Sequence, residues 1–327
     1  MIKRALIFLV MLFCAFLFLA FLYLKEEIYG TGPLEAPVNV VVEKGDGVKR
    51  IAWILFKNKV IKSQYLFEFA TKVYEFENSL KAGEYRFEPK ISLYEAMQQI
   101  AQGKVYLRKI TLPEGLTTKQ MLAIIANDDN LGGELTLTPK EGEMLPETYT
   151  FSHGDSKDSI VKQATDAMNK FVKANFPKNR NKQIIKNEKE LLILASIVEK
   201  ETGLKSERGL VASVFLNRLK KGMLLQTDPT VIYALTKGQF ELGRSLNRKD
   251  LKIDDAYNTY VYAGLPPTPI CSPSKEAIMA VLEPEESKYL YFVATGDGGH
   301  NFSENLNKHN NHVAEYVRKL KQKRKKK

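Results

Sequence analysis

Two glutamates at the end of an apolar run are the residues best suited to acid–base chemistry in this 327-residue chain. The run extends from Leu191 to Val198, and Glu199, Lys200 and Glu201 follow it directly. A helix that is apolar on nearly every face lies inside a protein, so a carboxyl group at its end is expected to be partly buried. Burial raises a carboxyl pKa because water no longer solvates the charged form. Such a group can protonate a leaving oxygen, whereas a solvated glutamate in a last helical turn is the ordinary alternative.

Five compact polar segments in the C-terminal half have the composition of a sugar-binding site. Asn, Gln, Thr and Tyr side chains offer uncharged donors and acceptors to hydroxyl groups, and aromatic rings can stack on sugar faces. The segments are Glu199–Thr202, Leu225–Thr230, Tyr257–Tyr260, Gly264–Pro267 and Gly298–Phe302, the last continuing to His309 and Asn310. Each is also compatible with a turn, because Asp228 can begin a helix, Asn258 can cap one and Gly298 can reverse the chain.

Two other chemistries lack the residues that they need. A zinc site takes three or four ligands at workable spacing, and His300, His309 and His312 include no pair at the i,i+4 spacing of a helical site. The sequence contains no Gly-x-Ser-x-Gly motif, the strained turn that exposes a serine nucleophile. We therefore expect no metal ion and no other cofactor.

The N-terminus predicts a membrane anchor. Residues 5–24 carry no charge, and at about 1.5 Å per residue such a helix spans the ~30 Å core of a bilayer. Lys3 and Arg4 precede this segment and favour a cytoplasmic N-terminus, with the bulk of the chain periplasmic or otherwise extracytoplasmic. A cleaved signal peptide is the alternative, but its apolar region is shorter and ends in small residues. We expect an uncleaved, single-pass anchor in the inner membrane.

The net charge indicates which partners the protein can bind, and the cysteine content indicates that the fold has no structural disulfide. The net charge of +11 suits anionic partners, and part of it lies in the basic tail, residues 321–327. The predicted topology argues against nucleic acid as a partner. Cys14 lies within the predicted anchor, so Cys271 is expected to be a free thiol, and core packing rather than disulfides must stabilise the fold.

The soluble region shows two similar small modules before a larger, more helical part. Segments starting near residues 40 and 110 each pattern as a strand, a turn at Gly45 or Gly115, and a helix with apolar residues three and four apart. Each then reaches a short strand, at Tyr85–Phe87 and Tyr149–Phe151. The first module also contains Val42, Gly45 and Asp46 followed by Ile51 and Ala52. This spacing resembles the start of a LysM module, a βααβ unit that binds N-acetylglucosamine polymers.

These patterns predict an α+β fold with a single N-terminal transmembrane helix. The expected boundaries are a cytoplasmic stub and anchor over residues 1–29, a LysM-like module over 38–105, a second small β/α module over 106–155, a mixed α/β catalytic domain over 156–320 and a basic tail over 321–327. In the largest domain, helices are predicted over Ile160–Phe176 and over Glu207–Lys221, the latter capped by Ser206. A buried strand is predicted over Tyr289–Ala294, and a last helix over His312–Lys321.

Six motifs follow one another in the C-terminal half of the chain: LASIVEKET, ER-x-x-VASVF-x-NRL, LQTDPTVIY, AYNTY, GLPP and YLYFVA…GGH-x-F. In this order they resemble the motifs of the YceG-like family of membrane-anchored endolytic murein transglycosylases, and the resemblance covers about residues 40–320. It implies that the first glutamate of VEKET, Glu199, is the catalytic acid/base. Together with the sugar-binding composition, it implies substrate contacts from Gln226, Thr227, Asp228, Tyr257, Asn258, Thr259, Tyr260, His300 and Phe302.

The resemblance implies an enzyme that cuts the MurNAc–GlcNAc bond of nascent peptidoglycan strands and thereby ends their elongation. Glu199 would protonate the linking oxygen and then accept the proton of the muramic C6 hydroxyl as that hydroxyl attacks C1, which leaves a 1,6-anhydro end. Glu201, two residues further along a helix, points about 200° away. Expected partners are glycan strands, the inner membrane and cell-wall synthases.

Two other functions are compatible with the same residues. A muramidase-type hydrolase of the same bond would need a second carboxylate, Asp228 or Glu201, to activate water or attack carbon. A non-catalytic glycan-binding scaffold of the cell wall would rely on the LysM-like region and the basic tail, and would need no acid.

Overall fold

The computed structural model describes residues 2–325, which form two compact units. The first unit comprises the chain up to Lys109 together with Thr150–Asp155, and the second comprises Ile110–Tyr149 and the residues from Ser156 onward. Residue 1 of the predicted anchor and residues 326–327 of the predicted basic tail lie outside the described residues. The fold is mixed α and β, preceded by an N-terminal apolar helix.

The N-terminal helix, α1, extends over Ile2–Tyr29. Its apolar side chains are exposed along almost its whole length, as expected of a segment without protein neighbours. Among the described residues it is the one helix long and apolar enough to cross a membrane. Length and composition are therefore compatible with the predicted single-pass anchor.

The rest of the first unit is a small α+β module. Its elements are β1 (Val38–Val42), α2 (Val48–Lys57), α3 (Gln64–Val73), β2 (Gly83–Phe87) and α4 (Leu93–Gln102). The two strands pair antiparallel, with Val40 opposite Tyr85. The first four elements follow the predicted βααβ order, while the LysM-like character of the module stays a prediction.

Alternation along the two strands builds the core of this module. Successive strand residues point to opposite faces, so Val40, Tyr85 and Phe87 lie on the face that packs against the helices. Ile51 of α2 and Phe67 of α3 complete this core and are at most 1% exposed. Helices α2 and α3 thus each contribute one face to this core.

The remaining elements begin with β3, in which the chain passes into the second unit. They are β3 (Arg108–Thr111), α5 (Thr118–Ala126), β4 (Thr148–Phe151), α6 (Lys157–Asn175), α7 (Glu188–Glu201), α8 (Arg208–Lys220), α9 (Asp228–Thr236), α10 (Lys275–Leu282), β5 (Tyr291–Ala294), β6 (His300–Ser303) and α11 (Leu306–Lys325). β3 pairs with β4, and β5 pairs antiparallel with β6.

Helix α7 lies at the centre of the second unit, and its burial confirms the prediction made from the apolar run. Asn187 caps the helix by accepting a hydrogen bond from the Glu190 N–H. Every residue from Ile193 to Val198 is buried, and α8 and α10 pack against it. Ser196, the polar residue in this stretch, donates to the Ile193 carbonyl and accepts from the Ile270 N–H, so its hydroxyl is satisfied.

The region predicted as a second small module is divided differently in the structure. Residues 110–149 belong to the second compact unit rather than to a module of their own. Two backbone hydrogen bonds explain this, because the Gly115 N–H donates to the Ser272 carbonyl at 3.1 Å and the Ser272 N–H donates to the Leu116 carbonyl at 2.8 Å. These long-range bonds could not be read from the local pattern.

Some predicted element boundaries need correction. Ser206 does not cap α8, because a short 3-10 turn over Lys205–Glu207 precedes a helix that begins at Arg208. The strand near Tyr291 is only partly buried, since one of its neighbours is the exposed helix α11. Cys271 is a free thiol, as predicted; the structure also shows that it is buried, and burial raises its pKa well above the usual value.

Candidate active site

The two glutamates at the end of α7 lie in different surroundings. Glu199 faces the start of α8 and the start of α10, whereas Glu201 faces the segment that begins α9. This separation agrees with their spacing, because two residues of an α-helix turn a side chain by about 200°. The two carboxyl groups can therefore be analysed as two separate sites.

Glu199 is enclosed and bonded through both oxygens. Arg208 Nη2 donates to Oε1 at 2.9 Å, and the Ser274 N–H donates to Oε2 at 2.9 Å. The Ser274 hydroxyl also donates to Oε2. The side chains of Glu199 and Arg208 are each only 5% exposed. Protein donors therefore occupy both oxygens of this carboxylate.

The partners of Glu199 explain why its charge can be buried. Arg208 is the first residue of α8, and its Nη1 donates to the Ser274 hydroxyl oxygen at 2.9 Å. Ser274 caps α10 and also accepts from the Ala277 N–H. A buried charge is tolerated when it is paired and hydrogen-bonded. Glu199 thus joins three helices, and no substrate is needed to satisfy it.

Glu201 has the properties expected of a proton donor. It is only partly buried, and Thr227 donates a hydrogen bond to its Oε1. Within residues 2–325, its second carboxyl oxygen has no hydrogen-bond partner. Burial raises the pKa of Glu201 and the charge of Asp228 raises it further, whereas the Thr227 hydrogen bond and the charges of His300 and Arg218 act in the opposite direction.

Exposed polar groups lie on the segment next to Glu201. The Tyr260 hydroxyl donates to Asp228 Oδ1 at 2.6 Å, and burial raises the Tyr260 pKa. Gln226 is exposed and has a φ of +51°, a left-handed backbone conformation that few residues other than glycine adopt. Its N–H donates to the Thr259 carbonyl at 3.1 Å, which holds this conformation and leaves the Gln226 amide at the surface.

His300 is held in one orientation. Its Nδ1 lies 2.7 Å from Glu207 Oε2, and its backbone N–H donates to Glu207 Oε1 at 2.9 Å. A carboxylate at Nδ1 orients an imidazole ring and leaves Nε2 for another contact. The ring is also close enough for its charge to act on Glu201.

Two residues expected to contact substrate are internal instead. Asn258 is fully buried, and its Nδ2 donates to the Leu251 and Ile253 carbonyls. Thr259 is 2% exposed, and its hydroxyl accepts from the Thr227 N–H. The structure does not support either expectation, because these polar groups are used within the protein to fix the loop that carries Tyr260.

Thr227 and two of the three rings expected to stack on sugars, Tyr257 and Phe302, are also engaged by the protein. Thr227 is 2% exposed and acts on Glu201 rather than on solvent. Tyr257 packs against the Tyr233 ring, with 4.9 Å between centroids, and its hydroxyl lies 2.7 Å from the Thr268 hydroxyl. The Phe302 ring packs against Phe292 at the edge of the core. These two rings pack within the protein, whereas the Tyr260 hydroxyl donates to Asp228.

The sequence reasoning missed the residues that position the site. Arg208 and Ser274 were not expected to hold Glu199, and Glu207 was not expected to hold His300. Arg218 is 8% exposed, and it donates to the Leu290 carbonyl at 2.6 Å and to the Leu225 carbonyl at 2.8 Å. One feature of the sequence could have indicated these residues. The mainly apolar helix α8 contains arginines, and an arginine that is buried is normally paired with an acidic or other hydrogen-bonding group.

We expect the Glu199–Arg208 pair to stabilise the fold. Arg208→Met leaves Glu199 charged and unpaired in a buried position, so the free energy of unfolding should fall by about 3–5 kcal/mol. Adding Glu199→Gln to that variant should recover part of the loss, because it removes the unpaired charge. Arg180→Met is the matched control, since Arg180 forms an exposed ion pair with Glu283 and its loss should cost less than about 1 kcal/mol. Denaturant unfolding followed by circular dichroism measures all four values, and equal losses at 208 and 180 would contradict this role.

Known proteins are similar to this chain over most of its length. Residues 40–315 match the YceG-like family. A protein of Bacillus subtilis (strain 168) named endolytic murein transglycosylase is 34% identical to this chain, and the alignment covers 89% of each chain. A protein of the same name from Streptococcus pneumoniae (strain D39) is 28% identical over 86% of this chain and 58% of its own length.

A solved structure shows the same similarity in three dimensions. The crystal structure of a YceG-like protein from Listeria monocytogenes aligns with a TM-score of 0.53 and 31% sequence identity, and the alignment covers 85% of this chain and 99% of that one. The family match spans most of the sequence and includes the larger part of each unit as well as the end of α7. The chain therefore belongs to the YceG-like family.

Proposed function

We propose that this protein is an endolytic peptidoglycan lytic transglycosylase whose catalytic acid/base is Glu201. The names of its relatives support the reaction, which cuts the MurNAc–GlcNAc bond and leaves 1,6-anhydroMurNAc ends. One observation carries the choice of residue. Glu201 combines a raised pKa with a carboxyl oxygen that no group within residues 2–325 occupies.

The choice of Glu201 replaces the expectation that Glu199 is the acid. A general acid must reach the leaving oxygen within hydrogen-bond distance and carry a proton when it does so. Glu199 accepts from Arg208 and from Ser274 through both oxygens, so neither oxygen is free to present a proton to a sugar. Glu201 accepts a single hydrogen bond, and burial favours its protonated form.

The reaction then needs one carboxyl group acting twice. Glu201 donates its proton to the oxygen that links MurNAc to GlcNAc, and the bond from that oxygen to C1 breaks. The ionised Glu201 accepts the proton of the muramic C6 hydroxyl as that oxygen forms a bond to C1. The proton count closes with Glu201 protonated again, and no water is consumed.

Neighbouring groups supply charge and contacts in this proposal. Asp228, held by Tyr260, places negative charge beside the positive charge that develops on the sugar ring in the transition state. The exposed amide of Gln226 and the ring of His300 are positioned to hydrogen-bond sugar substituents. Tyr260 offers the aromatic face next to these groups. Neither the relatives nor this arrangement favours the two alternatives, a hydrolase or a non-catalytic scaffold.

For location, we propose that α1 anchors the protein in the inner membrane with its N-terminus in the cytoplasm. Its length and composition support a single span, and Lys3 and Arg4 support this orientation. The catalytic unit would then act outside the cytoplasm, close to newly made glycan strands. Cutting there would end strand elongation, with cell-wall synthases as the partners that supply the strands.

The products of peptidoglycan digestion test both the reaction and the residue. Wild-type protein should release fragments with anhydro ends, which are lighter by one water than reducing ends, and mass spectrometry distinguishes the two. Glu201→Gln cannot donate the proton and should lose activity by about 10²–10⁴-fold. Glu199→Gln is the matched control and should keep more activity per folded molecule. A folded, inactive Glu199→Gln protein beside an active Glu201→Gln protein would return the role to Glu199, and reducing ends would indicate a hydrolase.

The raised pKa of Glu201 predicts a specific dependence of stability on pH. The folded state holds this proton at a pH where the unfolded chain has released it, so stability falls as the pH rises above about 4.5, the ordinary value for glutamate. Glu201→Gln removes this dependence while keeping an acceptor for Thr227. The variant should therefore match or exceed wild type in free energy of unfolding at pH 7, with a smaller difference at pH 4. If Glu201→Gln instead lowers the free energy of unfolding relative to wild type, and lowers it more at pH 7 than at pH 4, the raised pKa of Glu201 is contradicted.

Removing the anchor tests the proposed restriction to new strands. In cells, a secreted form lacking residues 1–29 should lose its preference for newly made wall, because it is no longer confined near the membrane. Pulse-labelled peptidoglycan, analysed for anhydro ends in new and old material, measures this preference. If full-length protein cuts old and new wall equally, proximity does not select the substrate.

A further inference from the structure

Helix α3 in the first unit carries an apolar stripe with no partner among the described residues. Tyr65, Phe69 and Val73 follow one another at intervals of four residues, so they line one face of the helix. They are 75%, 52% and 57% exposed, respectively. The opposite face supplies Phe67 and Ala70 to the core of the module. A helix at the surface of a soluble module normally presents polar residues on its outer face, so this stripe needs an explanation.

Both ends of α3 are tied to the last turn of α1. Lys62, which precedes α3, forms an ion pair with Glu27 at 3.5 Å. Tyr74, which follows α3, lies with its hydroxyl 2.7 Å from the Tyr29 hydroxyl. The Tyr94 ring packs against both tyrosines, with centroids 4.9 and 5.2 Å away. Helix α3 is therefore held across the end of α1 and cannot swing away from it without breaking these contacts.

The depth of these contacts follows from the geometry of α1. Its uncharged segment ends at Leu24, and Glu27 lies three residues further on, about 4.5 Å along the helix axis. The headgroup layer of each leaflet is roughly 5–7.5 Å thick, half the difference between a ~30 Å core and a ~40–45 Å bilayer. The ion pair between Glu27 and Lys62 therefore lies at headgroup depth when α1 spans a membrane.

The residues on and beside α3 suit that depth. Tyrosine and other aromatic side chains concentrate at the boundary between headgroups and acyl chains, where one end is apolar and the other is wet. Lys59 and Lys72 are exposed around α3 and can pair with anionic lipid phosphates. The helix thus combines an apolar stripe, a flanking positive charge and a fixed position at the end of the anchor.

We propose that the face formed by Tyr65, Phe69 and Val73 rests in the outer headgroup layer of the membrane that α1 spans. This contact gives the first unit a second attachment to the lipid surface and fixes its orientation on the anchor. The proposal depends on the anchoring role of α1 and is independent of the reaction at Glu201. Lipid is favoured over a protein partner because α3 is joined directly to the end of the spanning helix.

Tryptophan fluorescence of the full-length protein in nanodiscs tests this contact. The chain has one tryptophan, Trp53, and Trp53→Phe provides a silent background. In that background, Phe69→Trp places the probe within the stripe. Arg86→Trp is the matched control, because Arg86 is exposed on β2 between the inward-facing Tyr85 and Phe87 and so points away from the helices. The nanodiscs contain phosphatidylethanolamine and phosphatidylglycerol, with and without bromine near the top of the acyl chains.

Brominated lipid should quench the Phe69→Trp probe at least about twofold more than the Arg86→Trp probe, because bromine acts only on neighbouring rings. Acrylamide in the water should quench the two probes in the opposite order. Equal bromine quenching with free access of acrylamide to position 69 would overturn the proposal. Exclusion of both quenchers from position 69 would also overturn it and would indicate a protein partner, such as a second copy of the chain.

Two controls separate this proposal from the others. Flotation of the full-length protein with vesicles tests the anchor itself, so a protein that floats but keeps position 69 in water contradicts only the α3 contact. Digestion of peptidoglycan by both tryptophan variants shows that the protein is folded and tests the catalytic proposal independently. A protein that fails to float would overturn the anchor and the α3 contact together.

Discussion

The buried end of helix α7 is the constraint on which the catalytic unit depends. An apolar helix at the centre of a core must return to polar surroundings at some residue, and here that residue is Glu199. Removing a carboxylate from water costs several kcal/mol unless donors replace the water. Arg208 and Ser274 provide those donors, and because they begin two other helices, the ion pair also sets where α8 and α10 start relative to α7. The same contacts therefore pair the buried charge and position the helices that pack in the core.

The contacts of Glu199 with Arg208 and Ser274 also determine the surroundings of Glu201. With α7 held at Glu199, the end of the helix must project Glu201 toward the segment around Thr227, where a single hydroxyl group donates to it and Asp228 adds a like charge. Two carboxyl groups on one helix thus receive opposite environments, one rich in donors and one poor in them. Enzymes commonly separate acid and base roles by placing titratable groups in such contrasting surroundings. Here the contrast lies between Glu199, which accepts hydrogen bonds through both oxygens, and Glu201, which accepts one from Thr227.

Local pattern was sufficient to predict α7, the βααβ order of the first unit and the apolar N-terminal helix. Those features depend on periodicity along one stretch of chain, which the sequence displays directly. The choice between Glu199 and Glu201 depends on Ser274, which lies 75 residues away in the chain, and on the folding of α8 back onto α7. The internal roles of Asn258 and Thr259 have the same origin, since the side chains that suit a sugar also suit a buried loop. Polar residues in a motif therefore indicate a site but do not show which members face the substrate.

The position of a bound glycan would test the central claim most directly. A crystal structure of the Glu201→Gln protein with an uncleaved peptidoglycan fragment would show which side chain meets the glycosidic oxygen. We predict that the side chain at position 201 of this variant lies within about 3 Å of that oxygen, with Asp228 and Tyr260 beside the MurNAc ring and Glu199 still bonded to Arg208. A glycosidic oxygen bound by Glu199, with Arg208 displaced and position 201 remote from the sugar, would contradict the assignment.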